Sequence, residues 1–308
     1  MLTLLMGVAL SACGSTDEGD YKPGLYLGYT DGHQNTYAYV YVDAEGYIAD
    51  VFIDSIYMKS DEEGPVTWEG RGGDEATGYA TSKMSLNYGE DYIMGDNEYT
   101  WVEQVSMLGD DVVENQEIID YDLDDRYFAE DGDDIIAGVS ISVDSYLEAV
   151  GNALARAELG DDESPSDFDV PNVDEGLSLT PGIHFGYTDG NQNTLGFIAV
   201  NDDGNIVYAT ADEVYLKSDD DGPLNWETRG NENTGYATTK MSLNYGEGYT
   251  MSDNEYTWVE QVEMVMDDII ENQSADYNLE GDDDVVSGVS ITVSGYIETI
   301  QNAIEQAK

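Results

Sequence analysis

The second half of this 308-residue chain repeats the first half, and this repeat limits the possible folds more than any other feature. Asp96–Gln104 (DNEYTWVEQ) recurs as Asp253–Gln261, and several other matches precede it in the same order. The repeat is far longer than a solenoid unit and matches the size of a domain. We therefore predict two tandem domains, at 23–159 and 177–308, joined by an extended, self-repelling acidic linker at 160–176.

Each copy begins with a predicted β-hairpin. Tyr37–Tyr41 alternates with period two, Asp43–Gly46 supplies turn residues, and a second strand continues to Ile56. In the second copy the turn is Asp202–Asn205. The chain contains 24 Tyr and only 5 Phe, and tyrosine suits a sheet with one face in solvent.

Helices follow the hairpin in each copy. Trp101, Val105, Leu108 and Val112 recur at helical spacing, which predicts an amphipathic helix with Asp96 or Asn97 as its N-cap. A short strand and a second helix then end each copy, with the helices at Tyr146–Ala157 and Tyr296–Ala307. Strands followed by helices on one sheet predict an α+β fold built from antiparallel hairpins packed on helices.

The charge is extreme, because 66 acidic and 10 basic residues give a formal net charge of −56. Nucleic acid repels such a chain and is not an expected partner. We interpret the acidic surface as a halophilic adaptation; binding of divalent cations is the alternative. Asp219–Gly222 and Asp282–Asp284 lack the spacing of an EF-hand loop, so the sequence predicts no metal site.

Cys13 is the only cysteine, which excludes an internal disulfide. An apolar segment precedes it and a polar tether, residues 13–22, follows it. This arrangement resembles a bacterial lipoprotein signal peptide, residues 1–12, with its lipobox. The resemblance implies acylation of Cys13 and a lipid anchor on the extracytoplasmic face of the cell membrane, since the segment is too short to span a bilayer. The alternative is a short signal peptide with an incidental cysteine.

A short motif precedes each terminal helix. It reads DIIAGVS from Asp134 to Ser140 and DVVSGVS from Asp284 to Ser290. Both copies resemble the flavinylation motif, D-x-x-[ST]-G-A-[TS], of the FMN-binding domain family. That family includes a subunit of sodium-pumping quinone reductases and the lipoproteins of flavin-based extracellular electron transfer. The resemblance covers each copy and includes a W-x-x-Q helix, here Trp101 to Gln104.

The resemblance implies that Ser140 and Ser290 form phosphoesters with FMN, installed by a dedicated flavin transferase. Non-covalent FMN is the other form of binding. Gly138 and Gly288 would let the backbone approach the phosphate, and the following helix N-terminus would stabilise its charge. The remaining motif positions with family counterparts are Asp134, Asp284 and Ser287.

Both copies depart from the family motif. Val139 and Val289 replace an alanine, which we expect to add bulk beside the acceptor hydroxyl, and Ala137 replaces a hydroxyl residue in the first copy. In the alternative interpretation the motif has decayed, and its glycine only forms a turn into the last helix. Trp101 and Trp258 could stack on a flavin, but their helical spacing favours core packing.

Six of the basic residues pair between the copies, as Lys59 with Lys217, Arg71 with Arg229, and Lys83 with Lys240. Either an anionic group, such as an FMN phosphate or a reduced isoalloxazine, or a buried carboxylate explains their retention. Lys83 and Lys240 lie in the longest matched segment and are the candidate cofactor contacts.

Together these features predict an exported, lipid-anchored flavoprotein that relays electrons outside the cytoplasmic membrane to redox partners that the sequence does not identify. Because the flavin supplies the redox chemistry, we expect an electron carrier rather than a turnover enzyme. The alternative is a non-redox ligand-binding or adhesion lipoprotein built on a decayed copy of this domain.

Overall fold

The computed structural model describes residues 18–32, 35–60, 77–86, 98–119, 136, 138–171, 173, 177–188, 193–218, 227, 230, 234–243, 250, 254–277 and 286–308. Within these residues each copy forms a four-stranded antiparallel sheet and two α-helices, which confirms the predicted α+β class. The first copy contains β1 (Gly24–Tyr29), β2 (Thr36–Val42), β3 (Ile48–Met58), β4 (Ala80–Ser82), α1 (Trp101–Asn115) and α2 (Asp144–Ala157). The second contains β5 (Gly182–Tyr187), β6 (Thr194–Val200), β7 (Ile206–Leu216), β8 (Ala237–Thr239), α3 (Trp258–Asn272) and α4 (Ser294–Gln306).

The hairpin predicted in each copy is present, with strands in sequence order across each sheet. Gly46 and Gly204 close the two turns at φ values of +89° and +79°, which are strained for other residues. The Asp43 carboxylate accepts the Glu45 and Tyr47 amides at 3.0 and 2.8 Å and fixes the first turn.

The predicted N-cap is wrong. Asp96 and Asn97 lie outside the described residues, and α1 begins after Thr100, whose hydroxyl accepts the Glu103 amide. Glu103 in turn accepts the Thr100 amide at 2.7 Å, and Thr257 and Glu260 repeat this arrangement in α3. The T-x-x-E spacing is a capping box, in which two otherwise unsatisfied amides are bonded reciprocally.

The terminal helices, α2 and α4, match the predicted segments within two residues. The predicted short strand before each of them is wrong, because residues 138–143 and 286–293 form no strand. Side chains nevertheless alternate there between buried and exposed, from Val139 through Val143. This alternation explains why the sequence pattern suggested a strand.

The two sheets pack face to face, so the described residues form four layers in the order helices, sheet, sheet, helices. In β2, Ala38, Val40 and Val42 pack on the helices of their own copy. Tyr37 and Tyr39 point the other way and pack against the second sheet. The expectation that tyrosine lines a solvated face is therefore wrong for these residues, which are only 1% and 2% exposed.

Polar contacts also join the copies. The Lys217 ammonium, 2% exposed, donates to the Asp31 carboxylate at 3.0 Å. Asp50 accepts the Ile183 amide at 2.6 Å. A buried charge is tolerated only when it is paired, so the Lys217–Asp31 bridge favours one arrangement of the two copies.

The linker differs from its prediction in the part that the structure describes. Instead of an extended chain, Pro165–Asp167 forms a 3-10 turn capped by Ser164. The Ser164 hydroxyl donates to Glu18 at 2.9 Å, and Pro165 is buried against the hairpin turn at Gly46. The capping box and the apolar contact offset the local repulsion between acidic residues.

We predict that sodium chloride raises the unfolding temperature by several degrees, because the chain carries a net charge of −56 and salt screens the repulsion between its acidic residues. The steepest rise should fall between about 0.01 and 0.15 M, where the Debye length shrinks from about 30 to about 8 Å. Differential scanning calorimetry measures the effect, with a non-ionic osmolyte as control. A flat or falling curve would show that the acidic residues are already compensated locally.

Candidate functional site

The motif forms the same tight turn in both copies. In the first copy the Val139 amide donates to the Ile136 carbonyl at 2.8 Å, and in the second the Val289 amide donates to Val286 at 3.2 Å. Gly138 and Gly288 adopt φ values of +97° and +91°. Only glycine adopts this backbone conformation without strain, so the turn depends on the residue type that the motif specifies.

The motif glycines also lie against an aromatic ring. A Cβ on Gly138 would come within 2.7 Å of the Tyr99 ring, and one on Gly288 within 3.3 Å of the Tyr256 ring. The sulfurs of Met107 and Met264 lie close by. The glycines thus allow the motif turn to pack on residues at the N-terminal end of α1 or α3, which places the acceptor serine beside that helix.

The acceptor serines are exposed, yet their backbones are fixed. The Ser140 amide and hydroxyl both donate to the Gln104 Oε1 atom, at 2.8 and 3.3 Å. Ser290 makes the same bonds to Gln261, at 2.7 and 3.1 Å. An exposed hydroxyl on a fixed turn is accessible to an external enzyme and is held in one position.

The second copy adds an amide to this network. The Asn254 Nδ2 atom donates to the Ser290 hydroxyl at 2.7 Å and to the Gly288 carbonyl at 3.1 Å. Its counterpart in the first copy, Asn97, lies outside the described residues. Ser287 is exposed beside the turn.

The expected crowding of the acceptor by valine is wrong. Val139 and Val289 are 2% and 6% exposed and belong to the hydrophobic cores of their copies. Because consecutive side chains alternate here, each valine points inward while the following serine points outward. The extra bulk relative to alanine fills the core and does not obstruct the hydroxyl.

Lys83 and Lys240 lie over the tryptophans that begin α1 and α3, one helical turn before the glutamines. The Lys83 ammonium is 5.0 Å from the Trp101 ring centre and donates to the Tyr146 hydroxyl at 3.3 Å. Lys240 is 5.2 Å from the Trp258 ring and pairs with Glu213 at 2.7 Å. Of the two explanations for the retained basic residues, an anionic cofactor or a carboxylate partner, the structure supports the carboxylate partner for Lys240.

Trp101 and Trp258 are core residues, as their spacing indicated. Each is 1% exposed and donates from its indole nitrogen to a tyrosine hydroxyl of the terminal helix, at 3.0 and 3.1 Å. Rings buried to this extent do not offer a stacking face to a flavin at the surface.

The terminal helices begin without side-chain caps. Val143 and Val293 occupy the N-cap positions of α2 and α4, and neither has a capping side chain. Each N-cap lies three residues after the acceptor serine. The free N–H groups of the first helical turn carry the positive end of the helix dipole. The first turn of α4 contains no acidic residue and fits a bound phosphate, whereas Asp144 in the first turn of α2 disfavours one.

Several predicted residues lie outside the described part of the chain. They are Cys13, Arg71, Asp134, Ala137, Arg229 and Asp284. The motif aspartates and the lipidation site therefore remain predictions from the sequence.

A cleft of about 640 Å³ lies between the hairpin turns of the two copies, away from the motifs. Its lining includes Asp43, Glu45, Asp202 and Asp203. So many carboxylates disfavour an anionic ligand such as FMN, so we do not assign the cofactor to this cleft.

Sequence reasoning missed two buried carboxylates that support the site. Asp54 and Asp212 are 0% and 1% exposed within β3 and β7. Each accepts a backbone amide of the turn that carries Lys83 or Lys240, from Met84 at 3.1 Å and from Met241 at 3.0 Å. The sequence signal that could have found them is an aspartate at the same position of both apolar strands, β3 and β7.

Comparison with protein-family models, curated proteins and solved structures found no match to this chain. Within the described residues, no group of three or more His, Cys, Asp or Glu side chains could bind a metal ion. No helix there is long and apolar enough to cross a membrane.

Proposed function

We propose that this protein is an exported, lipid-anchored flavoprotein that carries FMN as a phosphoester on Ser290 and Ser140 and relays electrons outside the cytoplasmic membrane. Cys13 would carry the lipid anchor, a flavin transferase would attach the cofactor, and separate redox proteins would donate and accept electrons. This proposal rests on the resemblance of the two motifs to those of the FMN-binding domain family.

One structural observation carries the proposal. In both copies the motif glycine adopts positive φ and the following serine presents an exposed hydroxyl from a fixed turn. A decayed motif is free to change its turn, whereas here the positive φ of the glycine and the bonds from each serine to its glutamine are the same in the two copies. The shared geometry favours retention of an acceptor over decay to a simple turn.

The residues of the turn fit a phosphoester. The serine oxygen would bond to the FMN phosphorus of an activated donor such as flavin adenine dinucleotide. The bond from that phosphorus to the bridging oxygen would break, AMP would leave, and the hydroxyl proton would pass to a base of the transferase. The uncapped first turn of α4, which contains no acidic residue, would stabilise the phosphate charge. When bound, FMN supplies the one- and two-electron chemistry.

We predict that the purified protein, incubated with a flavin transferase and its flavin donor, gains FMN on Ser290 more readily than on Ser140. The second copy retains Ser287, whereas the first has Ala137 at that position. Intact mass and peptide mapping measure the adducts. Ser290→Ala should remove the adduct of the second copy completely.

Thr292→Ala is the matched control, because it removes an exposed hydroxyl two residues beyond the acceptor. It should leave both adducts unchanged. If neither serine is modified while the transferase labels a standard substrate, covalent flavin is excluded. The non-redox alternative would then be favoured unless the protein binds free FMN.

A further inference from the structure

We infer that Gln104 and Gln261 are positioning residues for the acceptor hydroxyl, an inference that rests on the function proposed above. Both are 0% exposed on the first turn of α1 or α3, and neither belongs to the seven-residue motif. A polar side chain is buried at a cost unless its hydrogen bonds are made. Here the Oε1 atom accepts hydrogen bonds from the acceptor serine, and the Nε2 atom donates to a backbone carbonyl.

The orientation of each amide group is determined by its neighbours. Gln104 Nε2 donates to the Tyr99 carbonyl at 3.0 Å, and Gln261 Nε2 donates to the Tyr256 carbonyl at 3.1 Å. The Oε1 atom of each glutamine accepts the serine amide. A flipped amide would place donor against donor and acceptor against acceptor, so only one orientation satisfies both backbone groups.

This orientation also sets the direction of the serine hydroxyl. The Ser290 hydroxyl donates its proton to Gln261 Oε1, so its oxygen lone pairs face away from the helix. Asn254 donates to the same oxygen at 2.7 Å, and Ser290 is an exposed residue. With the proton and one lone pair engaged, the second lone pair is left for an incoming phosphorus.

Positioning of this kind affects rate because phosphoryl transfer needs the attacking and leaving oxygens roughly in line. A site supported by a helix is more precise than one supported by a loop. The glutamine joins the motif turn to the rigid start of α1 or α3, which the motif residues alone cannot do. Loss of the amide should therefore slow attachment without removing the acceptor.

The test uses the full chain, in which each copy serves as a reference for the other. Gln261→Met keeps the size of the side chain and removes its hydrogen bonds. We expect the initial rate of FMN attachment at Ser290 to fall roughly ten- to a hundred-fold. The rate at Ser140, which Gln104 still supports, should not change.

The matched control is Gln273→Met, at the other end of α3. Gln273 is also a buried glutamine, and it bridges the amide and carbonyl of Ile206 at 2.9 and 2.7 Å. Its replacement should destabilise the same helix but leave the Ser290 rate unchanged. A slower rate in this control would show that general stability, and not positioning, governs attachment.

Gln261→Glu supplies a further readout that a purely structural role would not move. A protonated carboxyl reproduces the donor and acceptor of the amide, whereas a carboxylate repels the Tyr256 carbonyl. The ratio of Ser290 to Ser140 adducts should therefore recover as the pH falls, since burial favours the neutral carboxyl. The wild-type ratio should change less with pH.

The outcomes separate the two claims. If wild-type Ser290 is modified and Gln261→Met is modified at the same rate, the positioning role is wrong while the proposed function stands. If the wild type gains no FMN from an active transferase, the proposed function is wrong and the positioning role with it.

Discussion

Replacing Phe197 with alanine should lower the free energy of unfolding by about 3–5 kcal/mol, the range for removal of a buried aromatic ring. Phe197 is 0% exposed at the centre of the contact between the sheets. Its ring centre is 4.2 Å from that of Tyr39 and 5.2 Å from those of Phe52 and Phe185. Its loss would leave a cavity between the two copies. Urea denaturation followed by far-UV circular dichroism measures the change.

Phe168→Ala is the control for this prediction, because Phe168 is only partly buried, in the linker. The same chemical change there should lower stability by about 1 kcal/mol or less. Equal effects of the two substitutions would mean that the sheets do not pack as described. A separate, early transition in the Phe197→Ala protein would mean that the copies unfold independently once the contact between them is weakened.

Lowering the pH from about 8 to about 4 should stabilise the protein, the reverse of ordinary acid denaturation. Burial raises the pKa of Asp54 and of Asp212 from 3.8 to about 6, against hydrogen bonds that lower it. Each folded-state pKa thus exceeds the unfolded value. The stabilisation is present below pH 4 and is lost as the pH rises through about 6. Each aspartate should contribute about 2 kcal/mol to this change.

Asparagine at either position should flatten the pH profile. In Asp54→Asn the amide oxygen can still accept the Ser55 and Met84 amides, and the Tyr37 hydroxyl can turn to accept the new N–H. Unfolding in urea across the pH range measures the effect. Asp169→Asn, an exposed position in the linker, should leave the slope unchanged. A wild-type protein that loses stability steadily below pH 6 would contradict the prediction.

The candidate site contains motif residues, which the sequence pattern identifies, and supporting residues outside the motif, which it does not. Gly138, Ser140 and their counterparts can be found by pattern, because a positive-φ turn requires glycine and a phosphoester requires a hydroxyl. Gln104 appears in the sequence only as the last residue of the W-x-x-Q helix segment, without a link to Ser140. Its bonds to Ser140 span 36 positions along the chain, a separation at which local patterns carry no information about contact.

The motif valines show that closeness in the sequence can also mislead about contact in space. From sequence, Val139 next to Ser140 predicts crowding, since adjacent residues are close along the chain. In the structure, adjacent side chains point to opposite sides, and Val139 fills the core. Whether a neighbour in sequence is a neighbour in space depends on the local backbone, which the motif does not determine.

The sequence by itself determined the two copies, the α+β class, the hairpins and the helix positions, because each follows from a local periodicity or a turn residue. Only the tertiary structure decided how the copies meet. The alternation of tyrosine with aliphatic residues in β2 fits a half-solvated sheet as well as a sheet buried on both faces, since tyrosine is suited to either. Burial between the sheets, the Lys217–Asp31 bridge across them and the raised pKa of Asp54 all arise from contacts between distant segments.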